Sequence, residues 1–339
     1  MGRAVTDARL LADALSDPAT TGALDGEGWT ALIAMARAEQ LIGTLAHRLD
    51  GLPMPDAARR TLADARASAE QGRIAALWEA EMARRALASL SVPVVLLKGT
   101  AFVAAGLKAG VGRSIGDLDI LVPRTSIDAV EAAITAAGWE WVKPDPYDDA
   151  YYRRWMHELP PLIHRDRDRM IDIHHTILPL TARITPDAAA LITGSVALES
   201  GLRVLTANDM LCHAAAHLFA DGDLAGGMRN LWDIHCLIEE FGIDGLEDRA
   251  RHHGLHRHML RAARQSHALY GTEIPAGWRV WDSLDPLFQR RLLARDGWGR
   301  AVRPLTRLGF YIRSHALRMP PAMLARHLWT KWRSGHSGI

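Results

Sequence analysis

The feature that most constrains the fold is a change of period near residue 92. Up to about residue 90 the apolar residues recur three or four apart: Leu10, Leu11 and Leu15, then Leu32, Ile33, Met35 and Ala36, then Ile74, Leu77, Trp78 and Met82. That spacing predicts helices, broken at Ser16-Asp17-Pro18 and between Gly51 and Pro55, with Ala57 to Leu90 as one long helix. Val92-Pro93-Val94-Val95-Leu96-Leu97 is instead a continuous β-branched and aliphatic run. Such a run suits a strand buried on both faces, so the chain must build a sheet and cover it with helices.

The strand is expected to end at Lys98. A short helix follows from Thr100 to Leu107, a second strand over Leu118 to Val122, a helix from Ser126 to Ala137 closed by Gly138, and a third strand over Trp139 to Val142. The polar, aromatic stretch from Asp145 to His157 carries no clear period. Leu162 to His164 and Met170 to His174 read as a hairpin around Arg165-Asp166-Arg167-Asp168. From Asn208 onward the pattern is helical again. The expected class is α/β (α+β): a small mixed sheet in a core over residues 91–205, between helical regions at 1–90 and 206–339.

A chain of 339 residues that is 48% hydrophobic can bury a sizeable core. Its net charge of +1 gives no global argument for a nucleic-acid partner, and none is expected. Cys212 and Cys236 lie in helix-like apolar stretches, which suits two free thiols in a reducing compartment. No run approaches the roughly 18 apolar residues of a spanning helix, and the expected location is cytoplasmic.

Chemistry is concentrated in three places. Asp117-Leu118-Asp119 opens a strand, where a period of two puts both carboxylates on one face and Leu118 and Ile120 on the other. Two adjacent carboxylates repel unless a cation lies between them, so this pattern suits a hard cation. Lys98-Gly99-Thr100 joins a strand to a helix; glycine permits close backbone approach to a phosphate, and Thr100 offers a cap or a phosphate contact. In Ile171-Asp172-Ile173-His174, alternation places Asp172 and His174 on one face, so that Asp172 supplies a third carboxylate.

Leu-Lys-Gly-Thr, then Arg113 and Gly116-Asp117-Leu118-Asp119-Ile120-Leu121-Val122, then Ile-Asp-Ile-His-His resemble the bacterial uncharacterised nucleotidyltransferase family of the DNA polymerase β-like superfamily. The likeness extends over roughly residues 29–240, including the His213 to His217 helix and Arg229-Asn230-Leu231-Trp232-Asp233. It implies transfer of a nucleoside monophosphate from a nucleoside triphosphate, ATP as first choice, with release of pyrophosphate. It further implies Mg²⁺, two ions, on Asp117, Asp119 and Asp172 as catalytic ligands, with Gly99 and Thr100 matching the superfamily's Gly-Ser phosphate motif. Threonine replaces the commoner serine at 100 but keeps the hydroxyl. Lys98, Arg113 and His174 join the expected nucleotide site, Arg113 by meeting triphosphate charge.

The acceptor is expected to be a small molecule, a peptide or a glycan, with lasso-peptide and polysaccharide biosynthesis among the settings in which relatives occur. The contrasting reading is a catalytically weak, nucleotide-binding or antitoxin-like partner protein of the same fold. His213 and His217, four apart on a helix, suit a buried structural pair, the lining of the nucleotide or acceptor pocket, or a separate metal, with Asp233 and His235 as neighbours. Trp139, Trp141, Tyr147, Tyr151, Tyr152 and Trp155 suit either packing or a base-stacking surface. From Gly297 to Ile339 there is no acid, while arginines alternate with apolar residues. That tail suits peripheral contact with an anionic membrane surface or packing against the preceding helices.

Overall fold

The computed structural model describes residues 7–143 and 146–318, with the side chains of 146–148 excepted. Four helices precede the sheet: α1 (Arg9–Ser16), α2 (Gly26–Ala38), α3 (Ile42–Arg48) and α4 (Asp56–Leu87). Asp25 caps α2 by accepting from the Gly28 amide at 2.8 Å. The break expected at Ser16-Asp17-Pro18 is there; Asp17 accepts from the Ala19 amide and starts a short 3₁₀ turn at Pro18. The long helix α4 keeps a narrow stripe of alanines and leucines buried, and packs against the sheet and the helices beside it.

The sheet is mixed, with seven strands in the order β3-β4-β5-β2-β1-β7-β6. Its strands are β1 (Val95–Leu96), β2 (Asp117–Leu121), β3 (Trp139–Trp141), β4 (Leu162–His164), β5 (Met170–His174), β6 (Val196–Ala197) and β7 (Arg203–Val204). The helix α6 (Ile127–Ala136) falls where the periodicity predicted it, α5 (Lys98–Ala104) begins and ends earlier than the expected Thr100 to Leu107, and the β4–β5 hairpin has the expected bounds. The α/β class with helical flanks is the class observed.

Three local differences have physical causes. β1 is two residues long rather than six, because ladder bonds to both neighbours form only at Val95 and Leu96, and Pro93 has no N–H to give. The stretch without a clear period contains α7 (Pro146–Trp155), which precedes the hairpin. The edge strand β6 and its neighbour β7 were not foreseen, since two residues are too few to show a period.

After α8 (Ala188–Thr193), the second helical region runs from α9 (Ala207–Ala215) through a single π-type turn at 216–221 into α10 (Gly227–Phe241), α11 (Leu246–His252), α12 (His256–Tyr270), α13 (Asp285–Leu292) and α14 (Pro304–Arg318). Of the acid-free tail, Phe310 is buried edge-on to Phe288, while Leu305, Leu308 and Ile312 are exposed; residues 319–339, on which the membrane expectation largely rests, lie outside the described residues. Among the described residues no helix is long and apolar enough to cross a membrane. Cys212 and Cys236 are buried free thiols.

Candidate active site

The central pairing of the sheet builds the site. β2 and β5 run parallel, and Asp119 stands directly beside Asp172, with Asp117 beside Met170 and Leu121 beside His174. Alternation therefore puts Asp117, Asp119, Asp172 and His174 on one face, while Leu118, Ile120, Ile171 and Ile173 are buried on the other. Oxygens of the three carboxylates lie within 4.8 Å of one another. The three acids predicted from separate segments of sequence are brought together.

Three like charges in so small a volume are costly, and neighbours offset only part of the cost. Lys98 Nζ donates to Asp119 Oδ1 at 2.6 Å, and His174 Nε2 lies 3.0 Å from the same oxygen. Burial alone would raise the pKa of Asp119, but Lys98 and His174 outweigh it and hold the carboxyl well below the usual range. Burial likewise opposes charge on Lys98, yet Asp119, Asp117 and Glu158 leave its pKa raised. Asp172 has no such cation: burial, then the charges of Asp119 and Glu158, push its carboxyl up to about 7. Asp117 is raised by burial and by Asp119.

The cluster is therefore compatible with metal binding. An all-carboxylate donor set suits a hard divalent ion such as Mg²⁺.

The Lys98-Gly99-Thr100 turn is tied to β2 by the Leu97 amide, which donates to the Asp119 carbonyl at 3.0 Å. Lys98 takes a left-handed backbone (φ 48°), unusual for a residue with a side chain and costing about 1 kcal/mol. The Thr100 hydroxyl oxygen is buried and has no hydrogen-bond partner among the described residues. Gly99 requires a correction. A Cβ there would lie 2.5 Å from Arg113 Nε, so the space expected to stay open for a phosphate is filled by the Arg113 side chain.

Arg113 itself is paired with Asp233, which also accepts from Arg229 Nη2 at 2.6 Å; Arg229 in turn donates to the Thr44 hydroxyl at 2.6 Å. This chain ties the α5 region to α10 and α3, and it compensates the Arg113 charge that was expected to meet triphosphate.

Lys98, Arg113, His213, His217 and Asp233 line one cavity. His213 and His217 do share a face, and burial drops both pKa values, that of His217 to about 3, so both rings are neutral. His235 does not join them; it contacts the Thr272 hydroxyl at 2.8 Å and packs against Trp232. Of the aromatic cluster, Trp139 lies edge-on to His164 and under Arg167, and Trp141 donates to Glu131, which is packing rather than an open stacking surface.

Two residues at the site were missed in the sequence. His157 and Glu158 follow α7, and the Leu159 amide donates to the Ile173 carbonyl at 2.9 Å while the His175 amide donates to the His157 carbonyl at 2.9 Å. Glu158 is thereby set opposite His174, and Glu158 Oε2 stands 3.3 Å from His174 Nδ1. Nothing in a lone His-Glu pair announces this; only the β5 partner does.

No curated protein matches the chain. The description of uncharacterised nucleotidyltransferases does, over residues 25–271, a span that holds the whole sheet, the three carboxylates and the cavity. With its carboxylate cluster compatible with metal binding, the chain belongs to the uncharacterised nucleotidyltransferase family.

Proposed function

We propose that the chain is a Mg²⁺-dependent enzyme moving a nucleoside monophosphate from a nucleoside triphosphate, ATP as first choice, to a hydroxyl or phosphate of an acceptor. The observation that carries this reading is the convergence of Asp117, Asp119 and Asp172, with oxygens within 4.8 Å, beside a lysine and an unpartnered buried hydroxyl.

Asp117, Asp119 and Asp172 would hold the metal, which when bound neutralises charge on the triphosphate and on the leaving group. Lys98 and Thr100 would receive phosphate oxygens, Lys98 by charge and Thr100 through its free hydroxyl, while Gly99 makes room for the Arg113 side chain. Arg113, held by Asp233, and the neutral rings of His213 and His217 line the adjoining cavity. His174, buried between Asp119 and Glu158, positions Asp119.

In the transfer, the acceptor oxygen attacks the α-phosphorus, a new O–P bond forms, and the bond to the bridging oxygen breaks as pyrophosphate leaves with the electron pair. The acceptor proton would pass to the Asp172 carboxylate. Most of the rate enhancement would come from positioning and charge neutralisation. Retention of all three carboxylates favours this over a binding-only partner protein.

The test is metal-dependent thermal stabilisation by ATP, GTP, CTP and UTP, followed by transfer of label from the nucleotide that binds. Asp117→Ala and Asp119→Ala are expected to remove transfer while leaving the fold intact. Failure of every triphosphate to bind in Mg²⁺ would overturn the reading.

A further inference from the structure

Beside the carboxylates lies a second cluster of a different chemical kind. One donor atom from each of His157, Glu158 and His174 lies within 4.8 Å of the others. Glu158 Oε2 is 3.3 Å from His174 Nδ1 and 3.6 Å from His157 Nε2, and the two imidazoles are tilted by 32° with centroids 5.3 Å apart. These separations are long for hydrogen bonds to a carboxylate, which run about 2.7–2.9 Å when charge-assisted. They match what a tetrahedral ion imposes: bonds of about 2.0–2.2 Å place neighbouring donors about 3.3–3.6 Å apart.

The hydrogen-bonding inventory points the same way. The His174 side chain is only 2% exposed, and its Nδ1, turned toward Glu158, has no hydrogen-bond partner among the described residues. Its other nitrogen, Nε2, faces Asp119 Oδ1 at 3.0 Å. A ligating histidine usually gives its second ring nitrogen to a carboxylate, which fixes the tautomer and aims the free lone pair. Asp119 does this for His174, leaving Nδ1 as the donor. The Lys98 charge opposes a cation here, but it is already engaged by Asp119, and the carboxylates of Asp172 and Asp221 act in the cation's favour.

We propose that His157, Glu158 and His174 form a separate site for a zinc-class divalent ion, next to the carboxylate site and joined to it through Asp119. Two imidazoles and one carboxylate are the donor set of a borderline-soft metal, where the three aspartates suit a hard one. Three protein donors leave a fourth position for water or a substrate atom. The site does not depend on the nucleotidyl-transfer reading, since it can be loaded without nucleotide.

Cobalt(II) reports the geometry directly. The full chain, stripped with chelator and titrated with Co²⁺ alone, is expected to take up one equivalent with the intense visible bands of four-coordinate, nitrogen-ligated cobalt, displaced by Zn²⁺. His157→Ala and Glu158→Gln should each weaken this uptake by about tenfold or more, with folding checked by circular dichroism. Asp117→Asn and Asp172→Asn should leave the bands in place. A wild-type chain giving only the pale spectrum of six-coordinate oxygen-ligated cobalt would overturn the proposal. So would bands that survive in both folded triad variants, or bands lost in Asp117→Asn. None of these outcomes bears on nucleotide binding in Mg²⁺, so the two readings fail separately.

Discussion

Asp172 and Arg113 show how differently two charges of the site region are treated. Asp172 faces two other acids with no cation of its own, so its ionised form is a liability in the metal-free protein. Asp172→Asn is accordingly expected to stabilise the metal-free chain at neutral pH by about 1–2 kcal/mol, read as a rise in Tm. The same variant should lose most of the stabilisation that Mg²⁺ with nucleotide gives the wild type. Arg113 is paired with Asp233, and the missing Cβ of Gly99 leaves room for its side chain. Arg113→Ala should cost about 3 kcal/mol, the low end for breaking a buried pair, because Arg229 still faces Asp233 at 2.6 Å. Gly99→Ala should destabilise by the same route, so the double variant Gly99→Ala/Arg113→Ala should be no worse than Arg113→Ala alone.

At the scale of elements, the site depends on one close approach between α3 and the turn before β2. A Cβ on Gly43 would lie 2.4 Å from the Gly112 carbonyl oxygen and 2.9 Å from the Ala69 Cβ, and Gly112 itself has φ +65°. Backbone meets backbone there, and neither side has a flexible end to yield. Gly43→Ala should lower stability by about 1–3 kcal/mol, seen as a lower urea midpoint at unchanged slope. Because residue 112 leads into Arg113 and Asp117, the same variant should weaken metal-dependent triphosphate binding.

For the whole molecule, buried neutral histidines set the acid limit. Burial lowers His175, His235 and His258 to about 4 and His217 to about 3, against 6.5 when unfolded. A group depressed in this way is protonated in the unfolded chain before the folded one, so stability is lost as pH falls from 6.5 toward 4. Asp172, raised to about 7 from 3.8, has the opposite sign and gains stability as pH falls through that window. His157 and His213 are also lowered well below 6.5, and together the depressed histidines outweigh Asp172 and the rises at Asp117, Glu158, Glu39 and Asp221. Tm is expected to drop by about 5–10 °C between pH 6.5 and 4.5, and more steeply in Asp172→Asn, which removes one opposing group. An acid-flat Tm would contradict the buried, neutral state of these rings.

Much of the architecture was legible because period alone carries it. The long helix α4, the β4–β5 hairpin and the alternation at 117–119 and 171–174 are consequences of spacing, and spacing is local. The three carboxylates were legible too, each on a strand face that the alternation fixes. What tertiary structure decided is which distant segments lie side by side. β2 meets β5 in a register that sets Asp119 against Asp172; Gly99 serves a guanidinium fourteen residues away; His157 and Glu158, in a stretch with no period, become ligands in waiting only because they pair with the end of β5. A residue's face is written in its neighbours along the chain, whereas its partners are chosen by the packing of the whole.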